Sequence, residues 1–512
     1  GAIDSPNFDD EYEAPEPLEF DSEDAWQRVR RLTRVDGAGN LAITPGGDRV
    51  LFSTSIDGST SLFSVNYRGQ DRKTVQSGGV SGVYVTANGS KAVFIRGGQA
   101  GTARPSGGGS ETMGIDARVR IDVAAEQAQK FRDAANMLGR DFYHPTMKGL
   151  DWQGLTERYL QLARVTRTPS EFYQVGRLLM GELNGSHLGI WGGTQMYSPP
   201  SIRTGYLGVD AMPVDGGYEV TYVLPEGPAW REASRLEVGD VITAINGNTL
   251  SAGGGMPIMD LGEAMAGTSG EETLLDIIPA DPERSQFVLI VPTSSGGDSN
   301  LRYEDGVRQR RAMVDQMSAG RIGYLHIRGM NEPSLRDFER DLFAAANGKD
   351  GLLIDVRDNG GGWTTDILLS SLTAPRHAYT IPRGANADDV PVDAYPRDRR
   401  LIYGYTRPIA VLCNENSYSN AEIFSHAIKT TGRGTLVGQQ TYGAVISTGS
   451  YRLIDGTTVR RPFRGWFLPD GTDMENNGAM PDVVVLKKPQ HEVEGVDPQL
   501  EAGVRAVMED LD

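Results

Sequence analysis

The chain has 512 residues, with 50 Lys and Arg against 68 Asp and Glu, a formal charge of −18 and a single cysteine, Cys413. Its length suits about three or four domains. One cysteine excludes an intrachain disulfide and a multi-cysteine metal site. The acidic balance argues against nucleic acid or an anionic membrane as partner, because phosphates are held by clustered Lys and Arg.

Residues 1–25 carry ten carboxylates and no Lys or Arg. That is the composition of a disordered or loosely docked acidic tail. The start, Gly1-Ala2-Ile3-Asp4, shows neither an initiator Met nor a signal-peptide pattern, so a processed or trimmed chain is expected. In residues 26–100 short β-rich runs alternate with turns such as Pro45-Gly46-Gly47-Asp48. The unit TPGGDRVLF (44–52) recurs as TANGSKAVF (86–94), 42 residues on. That period suits a four-stranded propeller blade. Residues 26–117 therefore read as partial β-propeller blades, with a Gly/Ser/Thr-rich linker from residue 101.

Helical periodicity follows in residues 118–199, through AAEQAQKFRDAANMLGRDFY, DWQGLTERYLQLARV and PSEFYQVGRLLMGEL. Asp151 and Ser170 are candidate N-caps for the second and third helices. Residues 200–298 return to strands. Gly205-Tyr206-Leu207-Gly208, then PAWREASRLEVGDVITAINGN and the helix DLGEAMAG, resemble a PDZ domain. Such a domain binds an extended peptide at a sheet edge, and the resemblance implies that Gly205, Tyr206, Leu207 and Gly208 hold a terminal carboxylate through backbone N–H groups. The glycine run 252–255 lacks a P-loop lysine and carries no nucleotide signal. Residues 299–490 alternate short apolar runs (RIGYLHIRGM, GLLIDVRDN, RPIAVLCNEN, GTLVGQQT) with helical stretches, the pattern of an α/β domain with a largely parallel sheet. Residues 491–512 read as a C-terminal helix. The −18 sits mostly at the two ends, leaving −2 for residues 26–490. No apolar run approaches the roughly 20 residues of a membrane-spanning helix.

The most informative segment is IAVLCNENSYSNAEIFSHAIK. A buried strand, 409–413, runs through a polar turn into a helix beginning near Asn420, so Ser419 lies at the helix N-terminus, where free N–H groups favour developing negative charge. The commoner meaning of a serine there is an N-cap. What changes the balance is a second, glycine-rich strand end, DVRDNGGGW (355–363), whose backbone can approach a ligand closely. Together the two elements can supply a nucleophile and an oxyanion hole.

DVRDNGGG (355–362), NSYSNAEIF (416–424) and GQQTYGAV (438–445) in this order resemble the S41 family of serine peptidases. One branch of that family, the C-terminal processing peptidases, uses a serine–lysine dyad, and Ala444 stands where its lysine would be. The other, tricorn branch uses a Ser–His–Ser–Glu tetrad. GELNGSHLGIWGG resembles the tricorn segment with adjacent serine and histidine, which maps to Ser186 and His187, and DMENNGAMPDVVV the segment with the glutamate, which maps to Glu475. The resemblance covers residues 26–512. It implies a multidomain α+β chain with an α/β (crotonase/ClpP-like) catalytic domain. It also implies a serine endopeptidase of short or unfolded peptides, with Ser419 as nucleophile, His187 as base, and Ser186 linking the imidazole to Glu475. Asn420 and Gly361 are expected to supply the oxyanion hole, with Gly360 as alternative to the latter. A homo-oligomeric ring, no cofactor, no metal and a cytoplasmic location are expected, a periplasmic or secreted one staying open. Basic preference before the cut is a tricorn feature, and ADDVPVD (387–393) holds candidate carboxylates. The rival readings are a C-terminal processing peptidase and a non-catalytic peptide-binding scaffold.

Other residues take blander readings. Ser417 competes with Ser419 as nucleophile, but the spacing to Glu422 favours Ser419. His144 reads as a cap or surface residue, His326 as core, His426 as part of the nucleophile helix, and Cys413 as an unreactive buried thiol.

Overall fold

A computed structural model of the chain describes residues 23–33, 35, 37–56, 59–113, 120–193, 202–250, 260–373 and 404–511. Most of the acidic tail, the glycine run 252–255 and the segment 387–393 lie outside them. Contacts divide the chain into two compact units, Gly1–Ile121 and Asp122–Asp512.

The first unit contains two four-stranded antiparallel meanders. One runs Gly39–Ile43, Arg49–Ile56, Ser59–Asn66, Lys73–Ser77 and the other Ser81–Val85, Ala92–Arg96, Gln99–Ala103, Glu111–Met113. The sequence repeat is a structural repeat down to its turn. Gly47 N–H donates to Thr44 O and Gly89 N–H to Thr86 O, both at 2.8 Å. The two threonine hydroxyls receive the N–H groups of Arg49 at 3.0 Å and Lys91 at 3.1 Å. Leu51, Leu62, Val75, Val83, Ala92 and Phe94 form one apolar core across both sheets. The reading of residues from 101 onward as linker is corrected. Gln99–Ala103 and Glu111–Met113 complete the second blade-like sheet. Their Gly and Ser content reflects the turn between them, where Gly107 N–H donates to Arg104 O.

In the second unit, three helices, Val123–Asp141, Trp152–Val165 and Pro169–Gly181, pack around Phe131, Leu138, Phe172 and Leu179. Asp122 and Asp151 cap the first two. Thr168, not Ser170, caps the third, in a capping box with Glu171 and with Pro169 opening the helix.

The PDZ-like sheet runs Val209–Val214, Gly217–Val223, Val241–Ile245, Thr273–Ile278, Phe287–Ile290 in spatial order, which puts Val209–Val214 at an edge among the described strands. A 23-residue helix, Ser295–Met317, follows and straddles the expected domain boundary at 298/299. Among its residues only Asp298, Asp305 and Val314 are buried, so it lacks the apolar stripe by which sequence periodicity finds a helix.

The parallel sheet runs Ile322–His326, Gly351–Asp355, Ile409–Cys413, Thr435–Gly438, Val483–Val484. Its middle strands are buried along their whole length, as expected when helices cover both faces. Glu332–Ala346, Thr365–Leu372 and Asn420–Thr430 contribute to the core on one face. Ser295–Met317 and the C-terminal Pro498–Glu509 contribute to the other.

One further sheet joins the helical domain to the parallel-sheet domain. Ile190–Gly192, just after the third helix, pairs antiparallel with Thr457–Val459 of the hairpin Ile446–Arg452/Thr457–Gly465. The joint is reinforced by Lys130, which donates to Asp455 Oδ2 at 2.7 Å and lies over the Phe172 ring at 4.4 Å. The Lys130 side chain is only 5% exposed. Removing one partner of such a pair strands the other charge, so Lys130→Met should destabilise the second unit by about 3 kcal/mol, read as a lower urea midpoint.

Candidate active site

The strand Ile409–Cys413 lies inside the parallel sheet, between Gly351–Asp355 and Thr435–Gly438. It delivers the chain into a tight turn, and the helix Asn420–Thr430 starts immediately. At the junction Ser419 adopts φ 59° and ψ −117°, a conformation that costs a non-glycine residue about 1–3 kcal/mol. Glu422 holds it there. This carboxylate is fully buried and accepts from Ser419 N–H at 3.0 Å, Thr441 Oγ1 at 2.7 Å and Ala444 N–H at 2.8 Å, and from Gly443 N–H. Burial pushes its pKa up, and those four donors oppose the push.

The strained turn leaves the Ser419 hydroxyl facing His187, whose Nε2 is 2.9 Å away. The other ring nitrogen, Nδ1, is 2.9 Å from Ser186 Oγ. Ser186 Oγ donates to Glu475 Oε2 at 2.9 Å, and Ser186 N–H donates to Glu475 Oε1 at 2.5 Å. Val445 N–H adds a third donor to Glu475, at 2.8 Å. One proton arrangement satisfies this line. Ser186 gives its proton to Glu475 and accepts from His187 Nδ1–H, so Nε2 keeps a lone pair for the Ser419 hydroxyl. Burial, and after it the nearby Arg460 guanidinium, push the His187 pKa down to about 4. The imidazole is therefore neutral and ready to accept a proton at physiological pH.

Tyr418 was not singled out from the sequence. Its ring stacks on the imidazole at 4.8 Å between centroids, and its hydroxyl lies 3.0 Å from His187 Nδ1. Its place directly before Ser419 was the available signal, but a stacking partner is visible only once the rings are positioned.

The glycine loop reaches the same point. A Cβ on Gly361, at φ +85°, would lie 2.7 Å from Ser419 Cβ and 2.6 Å from Tyr418 O, so only glycine fits. The loop is anchored by Asn359, which donates to Ile327 O at 2.7 Å and accepts from Tyr418 N–H through its carbonyl at 2.9 Å. Just upstream, burial alone would raise the Asp355 carboxyl, but the Arg357 guanidinium beside it holds it well below the usual range. Asn420 N–H has no acceptor among the described residues, as an oxyanion donor requires. Gly361 N–H, by contrast, donates to Asn359 Oδ1 at 2.9 Å. Gly361 thus shapes the site, while its amide is engaged within the loop. The flanking amides of Gly360 and Gly362 carry no such bond among the described residues.

These groups line a cleft of about 490 Å³, walled by the glycine loop, Trp363, Ile423, the strand start Val445–Thr448, Arg460 and Trp466. The competing residues lie in other roles. Ser417 is buried and donates to Val356 O at 2.8 Å. His426 bonds Asn477 O at 3.1 Å. His144 Nδ1 accepts from Lys148 N–H, closing a turn. His326 lies between Tyr303 Oη and Arg357 O. Cys413 is fully buried, and burial pushes its thiol up. Ala444 is buried with its amide on Glu422, so a lysine dyad has no member here.

At the PDZ-like groove the expected carboxylate loop is narrowed. Gly205 N–H donates to Met265 O at 3.0 Å and Tyr206 N–H to Thr293 O at 2.8 Å. These two residues are stitched to neighbouring backbone. Only the amides of Leu207 and Gly208 stay without an acceptor among the described residues.

Residues 321–485 match the family model for peptidase family S41, residues 123–181 that for the tricorn protease C1 domain, and residues 219–279 that for a PDZ domain. The chain belongs to the S41 serine peptidases, on their tricorn branch. It is 31% identical over 412 residues to tricorn protease homolog 1 of Streptomyces coelicolor, covering 77% of this chain and 36% of that protein. It is 30% identical over 528 residues to the tricorn protease of Thermoplasma volcanium, covering 97% and 49%. A crystal structure of the tricorn protease shares the fold, with a TM-score of 0.73 at 23% identity over 91% of this chain and 46% of that one. The chain thus spans less than half the length of these S41 relatives.

The lowered basicity of His187 has a measurable consequence. A base must be neutral to act, so hydrolysis should fall as pH drops through about 4. An unperturbed imidazole would instead give that fall near 6.5. The kcat/KM profile of any hydrolysed peptide, taken from pH 3 to 8, checks this.

Proposed function

We propose that the chain is a serine endopeptidase that hydrolyses short or unfolded peptides through an acyl-enzyme on Ser419. The observation that carries this reading is the unbroken line from Glu475 through Ser186 and His187 to the Ser419 hydroxyl, ending in an open cleft. His187 Nε2 takes the Ser419 proton as Oγ attacks the peptide carbonyl, and then returns it to the leaving amine. Water repeats the sequence to release the acyl group. Glu475, through Ser186, orients the ring and stabilises the imidazolium. Tyr418 offers it a π face. The uncommitted Asn420 N–H, with the amides of the glycine loop, would receive the oxyanion.

The edge strand Val209–Val214, with the free amides of Leu207 and Gly208, is suited to an extended chain. That favours, as a second reading, processing from protein C-termini. The alanine at 444 weighs against it. Cleavage of a tagged protein tail, compared with that of short peptides, separates the two. By resemblance we also infer assembly into a homo-oligomeric ring, which light scattering on the purified chain tests.

Ser419→Ala and His187→Ala should each lower peptide hydrolysis by several orders of magnitude while leaving the thermal melt little changed. A fluorophosphonate should label Ser419 alone. Full activity in Ser419→Ala, or labelling of another serine, overturns the mechanism. Ser186→Ala keeps nucleophile and base but cuts the link to Glu475, and a loss of about 10²–10⁴ in kcat is expected.

A further inference from the structure

Tyr418 and Ser419 are neighbours in one strained turn, and each meets a different nitrogen of the same imidazole. Ser419 Oγ lies 2.9 Å from His187 Nε2, and Tyr418 Oη lies 3.0 Å from His187 Nδ1. The ring that carries this hydroxyl has two aromatic neighbours. It stacks on the imidazole, with the two planes 12° apart. Tyr442 packs edge-on against it at 5.1 Å between centroids. The Tyr442 backbone N–H donates to Ser417 O at 3.1 Å, which ties this second ring to the same turn. Tyr418 N–H is itself fixed by Asn359 O at 2.9 Å.

Nδ1 therefore has two oxygens within hydrogen-bonding distance, Ser186 Oγ at 2.9 Å and Tyr418 Oη at 3.0 Å. A neutral imidazole carries one ring proton, and a phenol oxygen can either donate or accept. If Tyr418 gave its proton to Nδ1, the imidazole proton would sit on Nε2 and point at Ser419. The base would then be lost. The surroundings of the phenol favour the other direction. Burial raises the Tyr418 pKa, so the phenol keeps its proton, while the His187 backbone acts in the opposite sense. That backbone can favour an ionised phenol only as a donor aimed at its oxygen. The oxygen is thus already placed as an acceptor, the role that a protonated Nδ1 needs.

We propose that Tyr418 is a positioning residue of the base, its phenol oxygen serving beside Ser186 Oγ as a second acceptor for His187 Nδ1–H. This rests on the reading of Ser419 as nucleophile and His187 as base. In the resting site the shared proton stays on Nδ1, which leaves the Nε2 lone pair to Ser419. When Nε2 takes the Ser419 proton, the ring becomes imidazolium, and its Nδ1–H is held by two oxygens rather than one. A hydrogen bond from a charged donor is stronger than one from a neutral donor. The phenol therefore contributes most while the ring is charged. That stabilises the transition state rather than the bound substrate, so the effect belongs in kcat. Because the two oxygens share one proton, each carries more of it when the other is gone, and their contributions are coupled.

Tyr418→Phe keeps the ring and removes the oxygen. Its kcat for a hydrolysed peptide should fall about tenfold, with KM little changed. In a Ser186→Ala background the same change should cost several-fold more than in the wild-type chain, since it removes the last acceptor at Nδ1. A ring-fluorinated tyrosine at position 418 gives a second measurement that leaves the packing nearly intact. Fluorine makes the oxygen a weaker acceptor and a stronger donor, so kcat, measured where the phenol is still protonated, should fall. Wild-type kcat in Tyr418→Phe, an equal loss in both backgrounds, or a rise with the fluorinated ring each overturns the proposal. A wild-type chain that hydrolyses no peptide and takes up no fluorophosphonate at Ser419 counts against the peptidase reading itself, and this proposal falls with it.

Discussion

The candidate site depends on one carboxylate. Glu475 takes two bonds from Ser186, through its backbone N–H and its hydroxyl, and a third from Val445 N–H. Ser186 belongs to the loop after the third helix, 289 residues away in sequence. With the pairing of Ile190–Gly192 on the hairpin, these bonds bring His187 of one domain to Ser419 of another. Glu475 is 3% exposed. Without Ser186 it would be a buried charge short of donors, which is costly in a low-dielectric interior. The need to satisfy Glu475 and the need to orient His187 are therefore met by the same contacts.

The nucleophile side is built on strain and space. Ser419 at φ 59° persists because Glu422, itself satisfied by four donors, holds its amide. Gly361 lets the oxyanion loop approach to a distance that any side chain would prevent. Asn359 joins the two, bonding the strand end at Ile327, the amide of Gly361 and the amide of Tyr418. Each element is locally unfavourable and is fixed by a neighbour with no freedom left, which is how a preorganised site is kept.

Charge acts in the opposite sense. Burial, and after it the Arg460 guanidinium on the cleft wall, disfavour a positive charge on His187. The whole-chain charge of −18 says nothing about this. Most of it lies in the terminal segments, and the cleft is governed by single groups at short range.

Much was legible in the sequence for physical reasons. Buried parallel strands show as continuous apolar runs, the 42-residue repeat shows as a repeated turn, and a serine at a strand-to-helix junction faces free N–H groups whatever surrounds it. The resemblance to S41 peptidases then pointed to Ser186, His187 and Glu475, which local pattern could not have joined. The helix Ser295–Met317 was missed because nearly all of its face is polar, and Thr168 replaced Ser170 as cap because Pro169 opens that helix two residues earlier. The sequence by itself determined most of the elements and the serine at the strand-to-helix junction, because these follow from periodicity and local chemistry. Only the tertiary structure decided that Gly361 N–H is engaged by Asn359, that Gly205 and Tyr206 are tied to neighbouring backbone, that Tyr418 stacks on His187 and that Arg460 lines the same cleft. Those are relations among residues distant in the chain, and they exist only once packing has set their distances.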